Sequence, residues 1–325
     1  MGGANAQPIG PSSALRSSGP RWVAPPFIPV MSFTHPTKGA PPGAVRARLP
    51  DGRWHFQHGP IDLILAAEGD AQSVARAAEA AWTRFDTILV ELIGELPLLR
   101  CPVQHASGVA GAVARRMVAA CQPHQDDFIT PMAAVAGAVA DEVIGCFRAE
   151  PGVRRAYVNN GGDIALHLSA GESFHVGVFA DLGRLQRHHA IGLDADFVVD
   201  AQLPVRGVAT SGWRGRSFSL GIADSVTVLA RSAAQADAAA TMIANAVNVD
   251  DVGIVRRPAS ALKDDTDLGN RLVTVEVGNL SSRSVASALA AGESHAGVLV
   301  RRGLVWAAWL VLQGRSRAVV AGDRE

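Results

Sequence analysis

The chain has 325 residues, with 30 Lys plus Arg against 30 Asp plus Glu and a formal net charge of zero. Apolar residues make up 48% and charged residues 18%, which supplies a sizeable core and excludes a highly charged disordered chain. The neutral balance also argues against a broad grip on nucleic acid, which needs a local excess of cations.

Residues 1–43 are rich in Gly, Pro, Ser and Ala without apolar periodicity and read as a disordered extension, with Met31 a second candidate start. The run Leu304 to Leu312 is far below the roughly 20 residues a spanning helix needs, so no membrane segment is expected. Cys101, Cys121 and Cys146 have neither metal-ligand spacing nor a disulfide framework. They read as small hydrophobes in a reduced, cytoplasmic protein.

Order is expected from Ala44, in a single domain over 44–318 with a tail over 319–325. Val45–Arg48 and Trp54–Gln57 flank Pro50-Asp51-Gly52 as a hairpin, and Ile61–Ala66 reads as a strand. Gln72–Ile93 has apolar residues at helical spacing, and Ser107–Cys121 is a second expected helix. Thr130–Phe147 is a third, with Thr130 as N-cap and Pro131 at the first helical position. Its run from Met132 to Ala140 is small and apolar all round, which predicts a buried helix that lets another backbone or a ligand come close.

Strands are expected at Ala156–Val158, Ile164–Leu168, Ser173–Phe179, Phe197–Val199, Gly207–Thr210 and Asp224–Ala230, with Asn159 to Asp163 as a tight turn. Ser232–Val247 reads as a helix capped by Ser232. Leu272–Val277, Val298–Val300 and Leu304–Leu312 read as strands, Arg301-Arg302-Gly303 as the last hairpin turn, and Ser281–Ala291 as a helix. Runs of helices and runs of strands, rather than strict alternation, predict an α+β fold with largely antiparallel sheets packed with helices.

Three segments carry chemistry. Asn159-Asn160-Gly161-Gly162-Asp163 combines amide and carboxylate groups with glycines that let a ligand approach the backbone. Thr210-Ser211-Gly212 presents two hydroxyls and N–H groups, followed by Arg214 and Arg216, which suit a phosphate. Asp237 and Thr241 are four apart on one helix face and are hard oxygen ligands suited to Mg²⁺. Each segment also has an ordinary reading as a turn, a solvated loop or a surface Asp. His188-His189, His55, His58, His167 and His175 show no ligand spacing, and there is no P-loop, dinucleotide fingerprint or nucleophile elbow.

Taken in order, Val-Asn-x-Gly-Gly-Asp, Ala-Thr-Ser-Gly and Ala-Asp-x-x-x-Thr resemble the ApbE superfamily of flavin transferases. Ala136-Gly137-Ala-Val-Ala-Asp141 is similar to the family's Ala-Lys-Gly-x-x-x-Asp segment. The resemblance covers Thr130 to Val247, and more loosely Ala44 to Gly314. It implies an enzyme that binds FAD and Mg²⁺ and transfers FMN from FAD to a Ser or Thr hydroxyl of an acceptor flavoprotein, or cleaves FAD to FMN and AMP. It implies Asp237, Thr241 and a backbone carbonyl near Ala134 as Mg²⁺ ligands, and Asn160, Gly161, Gly162 and Asp163 around the flavin. Thr210, Ser211 and Gly212 would lie at the phosphate or adenosine end. Two departures stand out: the family Lys is Ala136, and the interval from Ser217 to Asp224 lacks the family's His and Pro. If a base is needed in place of that His, Asp224 is the candidate in the interval. The alternatives are a flavin or nucleotide binder without turnover and an enzyme acting on another phosphorylated or acyl substrate. FAD, an acceptor flavoprotein and a second copy of the chain are the expected partners, with no nucleic acid and no membrane.

Overall fold

The computed structural model describes residues 43–178 and 195–322. The expected extension up to Pro42 and the His188-His189 pair lie outside the described residues. The chain runs through β1 (Val45–Arg48), β2 (Trp54–His58), β3 (Ile61–Gly69), α1 (Ala71–Leu99), α2 (Ala112–Cys121), α3 (Val135–Arg148), β4 (Val153–Asn160) and β5 (Asp163–Leu168). It continues through β6 (Ser173–Val178), β7 (Ala195–Asp200), β8 (Gly207–Ser211), β9 (Ser225–Ala230), α4 (Ala233–Ala246), β10 (Ile254–Pro258), β11 (Leu272–Val277), α5 (Ser282–Arg301), β12 (Ala307–Leu312) and β13 (Arg315–Val320).

The fold is α+β. Its main sheet has nine strands in the order β1-β2-β3-β4-β5-β8-β9-β12-β13, and the neighbours pair antiparallel. β6–β7 and β10–β11 form separate two-stranded ladders. The join between the halves of the large sheet is narrow: β5 and β8 share only the pairs Ile164↔Val208 and Ala165↔Gly207.

Strand alternation builds a core on each half. Phe56, Leu63, Leu65 and Val158 point toward α1 and α3, whose buried residues include Phe85, Ile88, Val143 and Phe147. On the other half Val226, Val228, Leu310 and Leu312 pack with Ile243, Leu289 and Leu299. Helix α4 serves both cores: Ala234 and Ala238 face the first, Ala236 and Ala240 the second. Its near-continuous alanine surface follows from that position, because side chains longer than methyl would hold one of the two cores away. A third cluster, with Leu166, Phe174, Val199 and Leu229, lies under the β6–β7 ladder. Among the described residues no helix is long and apolar enough to cross a membrane.

Several expectations are corrected. The turn after β4 contains only Gly161 and Gly162, at φ +66° and +114°, and Asn159 and Asn160 are the last residues of the strand. Thr130 does not cap a helix: Pro131–Ala134 is a 3₁₀ turn and α3 starts at Val135, while the Thr130 hydroxyl donates to Asp267. The second helix begins at Ala112, not Ser107. Val298–Val300 is helical, and Arg301 ends α5 rather than turning a hairpin. The last hairpin turns at Gln313-Gly314, and β13 runs to Val320, into the segment expected to be a tail.

Candidate functional site

Helices α3 and α4 cross where both are reduced to small residues, and each caps the other. Asp141 of α3 accepts from the N–H groups of Ala233 (3.0 Å) and Ala234 (2.8 Å) at the start of α4. Asp237 of α4 accepts from the N–H of Gly137 (3.0 Å) in the first turn of α3. Each carboxylate therefore meets N–H groups that have no partner within their own helix, at the positive end of the helix dipole. A side chain at Gly137 would run into the Ala233–Ala234 peptide, so glycine is what lets the helices meet. In the sequence Asp141 stands out only as the last residue of the Ala136–Asp141 motif. Its signal was present in the i, i+4 spacing of Gly137 with Asp141 and of Ala233 with Asp237.

The β4–β5 turn reaches the same place. Asn160 donates through Nδ2 to the Ala136 carbonyl (3.1 Å), and Asn159 locks the turn by accepting from the Gly162 N–H (2.8 Å). Asp163, 9% exposed, accepts from the Thr210 N–H at 3.3 Å. That contact carries the strand pairing one step past the narrow join, with a side chain in place of a carbonyl. The Arg216 guanidinium occupies the space into which a side chain at Gly161 would project, and its charge bears on Asp163.

Burial pushes the Asp163 carboxyl up to about 7, against the opposing pull of the Thr210 N–H and Arg216. Asp237 is pushed well above the usual carboxylate range, first by burial and then by the facing Asp163, with the Gly137 N–H working against the shift. Asp237 nonetheless keeps a partial opening to solvent. Asp141 is raised by burial and held back by its two helix N–H partners. Two close carboxyls that resist ionisation together, one of them open to solvent, are a donor set that a hard divalent cation satisfies. Thr241 lies half-buried one turn beyond Asp237, and Ala134 lies at the N-terminus of α3. Among the described residues no group of three His, Cys, Asp or Glu side chains has metal-binding geometry, so a cation here would need the hydroxyl and carbonyl oxygens as well.

The other expected residues take different places. The Thr210 hydroxyl meets that of Thr227 across the ladder (2.9 Å). Ser211 is half-buried, and Gly212 packs against the Asp224 backbone. Asp224 has both carboxylate oxygens engaged. Oδ1 accepts from Trp213 Nε1 (3.3 Å) and pairs with Arg214 (3.3 Å), while Oδ2 accepts from the Gln313 N–H (2.6 Å). Arg214, expected to reach a phosphate, is drawn to Asp224 and the Trp213 ring instead. Arg216 is the cation that the fold brings to the Asn160–Asp163 turn.

The fold and site define an α+β protein in which buried carboxylates gather where two helix N-termini, a glycine hairpin and the join of a split sheet meet. The chain belongs to the family described as AbpE bacteria, which it matches over residues 46–318. It is 36% identical over 167 residues to a UPF0280 protein of Methanopyrus kandleri, covering 51% of this chain and 61% of that protein. It is 35% identical over 130 residues to one of Methanospirillum hungatei, covering 40% and 50%. The chain thus spans between half and two thirds of these two relatives. With a UPF0280 protein of Methanosarcina acetivorans it shares 30% identity over 221 residues, 66% of this chain and 79% of the relative. Among solved structures it is similar to the apo flavinyl transferase ApbE of Pseudomonas stutzeri, with a TM-score of 0.42 and 13% identity, covering 87% of this chain and 95% of that one.

Proposed function

We propose that the chain binds FAD together with Mg²⁺ and breaks the pyrophosphate bridge, passing FMN to a Ser or Thr hydroxyl of an acceptor protein, or to water, with AMP as the leaving group. The observation that supports it is convergence. Segments far apart in the sequence meet through Gly137 N–H to Asp237, Asn160 to the Ala136 carbonyl, and Thr210 N–H to Asp163. In this reading Asp237, Thr241 and the Ala134 carbonyl hold the cation. When bound, it neutralises charge on the pyrophosphate and makes AMP a better leaving group. Asn160, Gly161, Gly162 and Asp163 line the flavin end. Arg216, Thr210, Ser211 and Gly212 present a guanidinium, hydroxyls and N–H groups to the phosphates. The test is incubation with FAD and Mg²⁺ followed by chromatography. AMP and FMN in equal amounts, or AMP with a covalently flavinylated acceptor, support the reading.

A second reading, binding without turnover, draws on a specific observation. The interval from Ser217 to Asp224 has no His, and Asp224 is held by three donors, so it is poorly placed to take a proton. A stoichiometric yellow complex that releases no AMP over many hours would decide for this reading.

A further inference from the structure

Among the described residues no strand lies beyond β13 in the nine-stranded sheet, and five of the six residues of β13 are exposed. Its two arginines are drawn to the face that α5 covers. Arg315 donates to the Ser282 carbonyl (3.4 Å), and Arg317 pairs with Glu293 (3.5 Å). The hairpin fixes which backbone groups turn outward. Its two-residue loop, Gln313-Gly314 at φ +46° and +75°, makes Leu312↔Arg315 a hydrogen-bonded pair. Past the other end of the strand, the Ala321 N–H donates to the Trp306 carbonyl (2.7 Å). Arg315, Arg317 and Val319 therefore bond inward, while Ser316, Ala318 and Val320 turn their N–H and C=O groups to the open edge.

We propose that this edge pairs antiparallel with the same edge of a second copy of the chain, Ala318 opposite Ala318 across a two-fold axis. In that register Ser316 opposes Val320, so every outward N–H and C=O of the strand finds a partner. Arg317 then opposes Val319. A slip of two residues leaves an outward residue of each strand unpaired, and in one direction it also sets Arg317 against Arg317, where like charges repel. A slip of one residue sets outward groups against inward ones. The flank of α5 above the edge, marked by Ser282 and Glu293, continues with Ala286, Ala290 and Gly297 at helical spacing. The two α5 helices thus present little bulk to each other as the strands meet. The contact lies three strands beyond β8 and does not depend on how the carboxylate site is read.

Light scattering and sedimentation velocity on the full chain over a dilution series test it. A reversible monomer–dimer equilibrium is expected. Ala318→Pro removes an outward N–H without breaking a bond of the hairpin, and Val320→Lys sets a charge on an exposed edge position. Each should raise the dissociation constant of the dimer at least about tenfold, with the far-ultraviolet circular dichroism unchanged. Ala318→Cys treated with dibromobimane, which fluoresces once both arms bridge neighbouring thiols, should give a fluorescent covalent dimer. Arg315→Cys should not, because in this register the two copies of that position lie far apart along the paired strands. The parent chain, with only Cys101, Cys121 and Cys146, should not either. A monomer at every concentration, growth beyond a dimer, a dimer that tolerates both edge substitutions, or bridging at Arg315→Cys rather than Ala318→Cys overturns the inference.

Discussion

Replacing Gly137 by alanine tests the helix crossing directly. An added Cβ would stand 2.5 Å from the Ala233 carbonyl carbon and 2.7 Å from the Ala234 nitrogen, where ordinary contact begins at 3.4 Å. The Ala233 carbonyl oxygen stands closer still, so the helices must separate by about 1.1 Å, and the obstacle is backbone, which has no rotamer to escape into. Overpacking of this kind costs about 1–3 kcal/mol. Separation also stretches the bonds from Ala233 and Ala234 to Asp141 and from Gly137 to Asp237, each charge-assisted and worth about 1.5–3 kcal/mol when intact. Against this, alanine gains about 0.5–1 kcal/mol of helix propensity over glycine. The expected net is a loss of about 2–4 kcal/mol, read as a fall of about 5–10 °C in the thermal midpoint. Gly145 is the internal control: it lies in the same helix, and nothing stands within 4 Å of its would-be Cβ. Gly145→Ala should gain the propensity term alone, about 0.5–1 kcal/mol. Parallel urea titrations of the two variants provide the measurement. If both glycines respond alike, the close approach of α3 to α4 is not what holds Gly137 in place.

Asp237→Asn keeps an acceptor for the Gly137 N–H but removes the charge that a cation needs, so Mg²⁺-dependent FAD binding should fall at least about tenfold with little change in stability. Retained Mg²⁺ dependence in equilibrium dialysis would remove Asp237 from the metal site. Because burial raises Asp163 to about 7 and also raises Asp237, the folded state binds more protons than the unfolded chain above about pH 4. The metal-free fold therefore loses stability from these groups as pH rises toward 7. Added Mg²⁺ should raise the thermal midpoint more at pH 8 than at pH 5, and an equal shift at both would contradict the assignment. Burial moves His124 the other way, down to about 4. As a base with a lowered folded value, it removes on the order of 3 kcal/mol as pH falls from about 6.5 to 4. His124→Phe should flatten that acid limb in pH-dependent unfolding; an unchanged slope would show that the histidine is not buried neutral. Arg216→Gln should weaken FAD binding by about tenfold while sparing an adenosine control, since a guanidinium matters only to the phosphates; equal loss for both ligands would assign Arg216 to the fold.

Much of this was readable in the residues, and the misses have physical causes. Ser232 caps α4 as expected, its side chain accepting from the Gln235 N–H, because a cap is a local signal. The small run around Gly137 correctly implied a close neighbour, but not which one. Val298–Val300 misled because a short β-branched run has no period of its own. Ala296 and Leu299 face the core on the helical stripe of α5, and that burial overrides β propensity. Asn159 and Asn160 were drawn into the turn by the strength of the Asn-Gly signal, whereas the two-residue loop needs only the glycines at positive φ. The pairing of Arg216 with Gly161 and the engagement of Asp224 by Gln313 join positions 55 and 89 residues apart, beyond the reach of any local pattern.

The narrow join between β5 and β8 gives the site a mechanical meaning. Two ladder pairs, the Leu166 N–H to the Arg206 carbonyl (2.9 Å) and one side-chain bond, Asp163 to Thr210, stitch the halves of a nine-stranded sheet. A molecule with one end on the Asn160–Asp163 turn and the other on Thr210–Gly212 would lie across that seam like a splint. Its binding energy would then be shared by both halves of the sheet and add to the stability of the whole chain.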